Sequence, residues 1–367
     1  MSIGQHPART LLVIGGRLAG AALVLFLLDA LVFRGPYPYY LEPDSTTGSV
    51  EMRLWNEKKR ERSGRPEILA VGDSRMPLFP RVANELQDET GYYFAGINSP
   101  GTSPRCWYYM LRDVDPDANL YRAILIPEYW YEDRDSWDRY DDRIRDLNYI
   151  VGELRVGDIS DFALSFHLPE YRLKAARGAT WKGFVYQTDV REFLSGIPER
   201  LAKVEWYRRD QWEWVYNYEG IKENLIGLSA DWDNDRFLYT DDIPQERRDL
   251  LEKELLRPPV PDTERFRAYR QKWYGKVLDH YAHSDTKIIF LRMARGPVAR
   301  PEPYPGYETS VIRDLAERPN VLVMDEHLFD SMEQPEYFSD PLHMNMNGSR
   351  AFSVALAHEL VKLLGRG

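Results

Sequence analysis

The longest apolar run lies at the N-terminus. Residues 11–33, LLVIGGRLAGAALVLFLLDALVF, follow a short tail (1–10) and are almost wholly apolar. About 20 such residues cross a bilayer. Arg17 near the start and Asp29 near the end interrupt the run, and both are close enough to an interface to snorkel. The run ends in DALVFRGPYPYY, bulky residues followed by Tyr37, Tyr39 and Tyr40. A signal peptide has a shorter apolar region that closes on small residues, whereas aromatics gather at membrane interfaces. The pattern predicts an uncleaved single-pass anchor. Arg9 and Arg17 flank one end, Arg34 and NEKKRERSGR the other, so charge alone does not orient it.

After a polar linker, 34–62, the period changes. ILAV (68–71), YYFAGI (92–97), AILI (123–126), KIIFL (287–291) and NVLVM (320–324) are short runs, mostly β-branched or aromatic. Such runs read as strands covered on both faces. Between them lie helical segments. PRVANELQDETG opens on proline and closes on glycine. TERFRAYRQKWYGKVLDHYAH carries apolar residues at helical spacing, and GSRAFSVALAHELVKLL sets Phe352, Leu356, Leu360, Leu363 and Leu364 on one face. Alternating β and α predicts an α/β fold, a parallel sheet with helices on both sides. The alternation holds over 63–135 and 260–367. It breaks over 136–259, a Trp-, Tyr-, Asp- and Arg-rich stretch that predicts a mostly helical insertion.

Composition narrows the function. The 367 residues carry a net charge of −10, and no basic patch is interleaved with aromatics, which argues against nucleic acid as a partner. One cysteine, Cys106, excludes an intrachain disulfide and a cysteine-rich zinc site. His167, His280, His283, His327 and His358 have no metal-ligand spacing, and the reading includes no metal and no cofactor.

Chemistry enters at EILAVGDSRM, 67–76. A buried strand runs into Gly72, Asp73 and Ser74, at the sheet edge where open α/β proteins bind ligands. Ser74 is either a nucleophile or a helix-capping serine. FSDPLHMNMNGSRAFS, 338–353, sets Asp340 and His343 just before the last amphipathic helix. A serine needs a base to take its proton, and His343 suits that role. Asp340, three residues earlier, can reach the other ring nitrogen and fix the tautomer.

VGDSRM and SDPLHMNMNG resemble the first and last blocks of the SGNH/GDSL hydrolase superfamily, and GINSPGTSP resembles its second. The resemblance spans 63–135 and 260–367. It implies a flavodoxin-like three-layer α/β/α core with Ser74 as nucleophile, His343 as base and Asp340 as its orienter. The N–H groups of Ser74 and Gly101 would form part of an oxyanion hole. Asn98 and Arg75 join Gly101 as candidate oxyanion or substrate contacts, with a surface salt bridge as the other reading of Arg75. The family's third block reads Gly-x-Asn-Asp, but here AILI leads into PEYWYED, which lacks the Asn. Membrane-anchored relatives with a weakened third block resemble extracytoplasmic partners of membrane-bound O-acyltransferases. That likeness implies acyl transfer or acetylester hydrolysis on a cell-envelope glycan, with the globular part extracytoplasmic (periplasmic).

Rival readings stay open. CWYYM (106–110), EYWYED (128–133) and the aromatic stretch 205–220 either stack on sugar rings or fill the core. Glu128 and Asp133 form a conceivable carboxylate pair for glycoside hydrolysis, which would leave the serine and histidine blocks unexplained. A non-catalytic binding or assembly subunit of a polysaccharide acylation complex, and an esterase acting on nearby lipid, complete the alternatives.

Overall fold

The short apolar runs pair into one sheet. In the computed structural model, which describes residues 6–76, 78–128, 143–209, 223–256, 264–294, 296–299 and 315–367, these runs become β1 (Glu67–Ala70), β2 (Tyr93–Gly96), β3 (Ala123–Glu128), β6 (Lys287–Arg292) and β7 (Val321–Val323). A small antiparallel hairpin, β4 (Ser229–Asp231) with β5 (Arg236–Leu238), stands apart from them. The main sheet has the order β2-β1-β3-β6-β7, and every pair is parallel. This is a doubly wound order. The chain reverses direction across the sheet between β1 and β3, the place where such sheets bind ligands at their carboxyl edge.

Alternation along the strands sorts the core into two faces. Ile68, Ala70, Phe94, Leu125 and Ile289 point to the side covered by the closing helix, Met346–Leu364, through Phe352, Leu356 and Leu360. On the other side the Phe290 ring lies 5.3 Å from Tyr274 of the helix Glu264–His280. Tyr274 in turn lies 6.4 Å from Trp107 of the helix Pro104–Val114. The expected apolar face of the closing helix needs one correction. Leu363 is exposed, because the buried row runs at intervals of four (352, 356, 360) and position 363 falls off it.

The chain divides into two compact units, Met1–Met52 with Leu147–Asp210, and Arg53–Asp146 with Gln211–Gly367. The second contains the sheet. The first contains the helix His6–Phe33, within which Leu12–Phe33, of mean hydropathy 2.0, is long and apolar enough to cross a membrane. It also contains the helices Pro169–Thr180, Gly183–Ser195 and Ile197–Arg209. The stretch 136–259, expected as one insertion, is therefore divided, with 147–210 in the first unit. The stretch 34–62, expected as a linker, is structured: it holds a helical turn, Tyr37–Tyr40, and the helix Thr46–Lys59. Val50, Met52 and Leu54 are buried there, and a polar sequence around three apolar positions hid the helix.

Truncating Leu356, which is fully buried between helix and sheet, should cost about 2–5 kcal/mol. Leu363→Ala should cost under about 0.5 kcal/mol. Melting temperatures of the two variants, read side by side, check this assignment of the helix faces.

Candidate active site

β1 ends at Ala70, and Val71 still donates to the Leu125 carbonyl of β3 at 3.0 Å. The chain then turns sharply. A Cβ on Gly72 would stand 2.9 Å from Pro127 Cγ, so only glycine lets the turn pass this close to β3. The Gly72 carbonyl accepts from Ser99 N at 3.0 Å and from Thr102 Oγ1 at 3.1 Å, which ties the turn to the loop after β2. Asp73 braces the turn from within. Its carboxylate accepts from the Arg75 backbone N–H (3.0 Å) and from Arg75 Nη2 (2.9 Å). Burial alone would raise the Asp73 carboxyl, but the Arg75 charge and hydrogen bonds, with the nearby His343, hold it below its ordinary range.

Ser74 emerges from this turn toward the far end of the chain. Its Oγ lies 2.8 Å from His343 Nε2. The other ring nitrogen, Nδ1, lies 2.8 Å from Asp340 Oδ2 and 3.1 Å from Oδ1. Asp340 is itself held by its own loop, since Oδ1 accepts the backbone N–H groups of Leu342 and His343, each at 2.8 Å. Backbone pairing closes the loop at its base, where Ser339 N donates to the His343 carbonyl and Asn345 N to the Tyr337 carbonyl. Asn345 then caps the closing helix by accepting from Gly348 N at 2.9 Å. An Nδ1–H donated to Asp340 leaves Nε2 as the acceptor facing the serine hydroxyl. Burial alone would raise the Asp340 carboxyl; the hydrogen bond and charge of His343, with the two backbone N–H groups, outweigh it and keep it low.

The remaining expected residues lie around this axis. Gly101 adopts φ +71, the left-handed region that favours glycine. Among the described residues, neither its N–H nor that of Ser74 meets an acceptor. Asn98 is 2% exposed and lies under the turn, where its Nδ2 is 3.4 Å from the Met76 carbonyl. It supports the turn that carries Ser74 and is not open to a ligand. Arg75 forms a salt bridge, but a buried one: its side chain is 7% exposed. Cys106, Trp107, Tyr109 and Met110 of CWYYM are buried and belong to the core. Asp133, most of EYWYED and residues 210–222 lie outside the described residues. Among the described residues no group of side chains is arranged to hold a metal ion.

The structure adds residues that sequence reasoning missed. Arg143 donates from its guanidinium to the Gly101 carbonyl and lies 3.4 Å from Asp146 Oδ1. Asp146, fully buried, accepts from Ser103 Oγ at 2.8 Å, and Ser103 Oγ accepts from Tyr269 OH at 3.1 Å. A buried polar cluster therefore holds the loop 98–103 from behind. The i, i+3 spacing of Arg143 and Asp146 was visible, but their meeting with Gly101 depends on tertiary folding. A cavity of about 370 Å³, lined in part by Arg247, Ser339 and Asp340, opens beside the histidine loop.

No protein-family model matches the chain, and no curated protein matches it either.

A carboxyl held low in the folded state contributes stability above its ordinary pKa, and that stability is lost as pH falls through the folded value. Asp340→Asn should therefore flatten the fall in melting temperature on acidification below about pH 4. Thermal unfolding of both proteins across a pH series reads this directly; parallel curves would contradict it.

Proposed function

We propose that the protein is a membrane-anchored serine acyltransferase or acetylesterase of the SGNH type, acting on an extracytoplasmic glycan. The observation that carries this reading is the continuous Ser74–His343–Asp340 relay, with 2.8 Å at each junction. Ser74 Oγ attacks the acyl carbonyl while its proton passes to Nε2. The tetrahedral oxyanion develops toward the Ser74 and Gly101 N–H groups. Collapse expels the alcohol, which takes the proton back from His343. The acyl-enzyme is then resolved by water or by a sugar hydroxyl, activated by the same imidazole. The membrane partner in this reading is an O-acyltransferase that supplies acyl groups, and the soluble part faces the periplasm.

A fluorophosphonate probe should label the protein at Ser74. Ser74→Ala should lose the labelling and lower acetylester turnover by about 10⁴-fold or more. A folded wild-type protein that takes no label would overturn the reading in favour of a non-catalytic binding subunit. Release of fatty acid from vesicles would redirect it to lipid.

Arg143 acts as a positioning residue through Gly101. Arg143→Ala should lower kcat by about 10–100-fold, less than the loss of a whole oxyanion donor. KM and probe labelling at Ser74 should stay near wild type, and Arg143→Lys should recover part of the rate. Equal loss of labelling and turnover would mean that Arg143 only supports folding.

A further inference from the structure

Asp29 is an acid inside an apolar run, and the active site leaves it unused. It lies one helical turn before Phe33, the end of the 22-residue apolar segment, and so about 6 Å inside that end. A bare carboxylate at that depth is costly. Asp29 is not bare. Its Oδ2 accepts the backbone N–H of Lys182 at 2.9 Å, and Oδ1 accepts that of Gly183 at 2.8 Å. These groups open the helix Gly183–Ser195, where a negative charge is favoured. Arg34, just past the segment, makes the opposite contact. Its guanidinium donates to the carbonyls of Ala179 (2.6 Å) and Thr180 (3.3 Å) at the end of the helix Pro169–Thr180, and to Leu154 (2.8 Å). An acid and a base at the end of the apolar helix thus grip the two halves of one tight turn, residues 179–183.

The grip fixes depth. Phe33 approaches Gly183, where a Cβ would lie 2.8 Å from its ring. Tyr186 lies 5.5 Å from Phe33, and Phe193 lies 6.1 Å from Tyr40. The helix Gly183–Ser195 therefore climbs beside the N-terminal segment, and its first residues are the lowest. There Phe184 is 56% exposed, with Trp181 beside it at 6.4 Å between rings. The Arg177 guanidinium sits 4.8 Å over the Phe184 ring. Arg172, Lys174 and Arg177 are all exposed on the preceding helix. An exposed Phe184 beside a half-buried Trp181, under a tier of cations, matches the layer where acyl chains meet anionic headgroups. Backbone at this depth needs internal partners, and Asp29 and Arg34 supply them.

We propose that the turn around Trp181 and Phe184 is embedded in the interfacial layer of the bilayer crossed by Leu12–Phe33, with lipid covering its aromatics and anionic headgroups facing Arg172, Lys174 and Arg177. The proposal rests on the membrane-anchored reading given above. It makes the anchor a docked element of the first unit.

The test uses the full chain in nanodiscs of phosphatidylcholine and phosphatidylglycerol. A polarity-sensitive fluorophore is attached at Leu25→Cys, Phe184→Cys or Ser195→Cys; the native Cys106 is buried. Lipids spin-labelled close to the headgroup serve as quenchers. The expected result is quenching at 184 several-fold above that at 195, together with strong quenching at 25 by lipids labelled deeper in the chain. Quenching at 25 but not at 184 overturns the embedded turn and leaves the anchor standing. No quenching at either position overturns both. A blue-shifted but unquenched label at 184 means that protein, and not lipid, covers the turn, and overturns the proposal.

Discussion

One contact joins the two ends of the sheet-bearing unit. Ser74 and His343 are 269 positions apart in the chain and 2.8 Å apart in space. The strand order makes this possible. β1 occupies an interior position next to β2 and β3, so the turn at its carboxyl edge has neighbours on both sides: the Ser99–Thr102 loop after β2, and Pro127 in β3. The closing helix packs across Ile68 and Ala70 of the same strand. That packing brings the loop before it, with His343 at its end, over the strand that delivers Ser74. If the helix failed to dock, hydroxyl and imidazole would have nothing to hold them together.

The parts of this arrangement that could be read in the chain share a physical cause. Strands buried on both faces are forced to be short and apolar, so β1, β2, β3, β6 and β7 stand out against the polar segments between them. Ser74, Asp340 and His343 stand out because small turn residues interrupt otherwise regular patterns. What could not be read depends on partners far away in sequence. Arg143 and Asp146 sit in a polar stretch that gives no sign of packing behind Gly101. The helix Thr46–Lys59 carries too few apolar positions to register. Asn98 was legible as a neighbour of the site, but its burial was not, and burial makes it a support for the turn; the salt bridge read as one alternative for Arg75 is present, but buried and not at the surface. Asp29 was read as a charge near an interface, whereas its carboxylate caps a helix.

Polar groups carry much of the local order. Asp73 with Arg75, Asp340 with two N–H groups of its own loop, and Arg143 with Gly101 each hold a backbone segment that has little apolar area to fix it. Such bonds are directional and short-ranged. They suit loops that must be held in one orientation while remaining beside a solvent-accessible opening. The apolar core sets the distance between strand and helix, and the polar contacts set the angles at the ends.

The four-residue segment from Asp340 to His343 has a consequence of its own. Carboxylate and imidazole ride on the same short loop, with three of the bonds that orient them made inside it, while the serine belongs to a separate strand turn. A push on the loop would carry acid and ring together as a cassette. The tautomer would survive, and only the gap to the hydroxyl would open. Movement of that loop would therefore change the distance between hydroxyl and imidazole while the pairing of ring and acid stayed as it is.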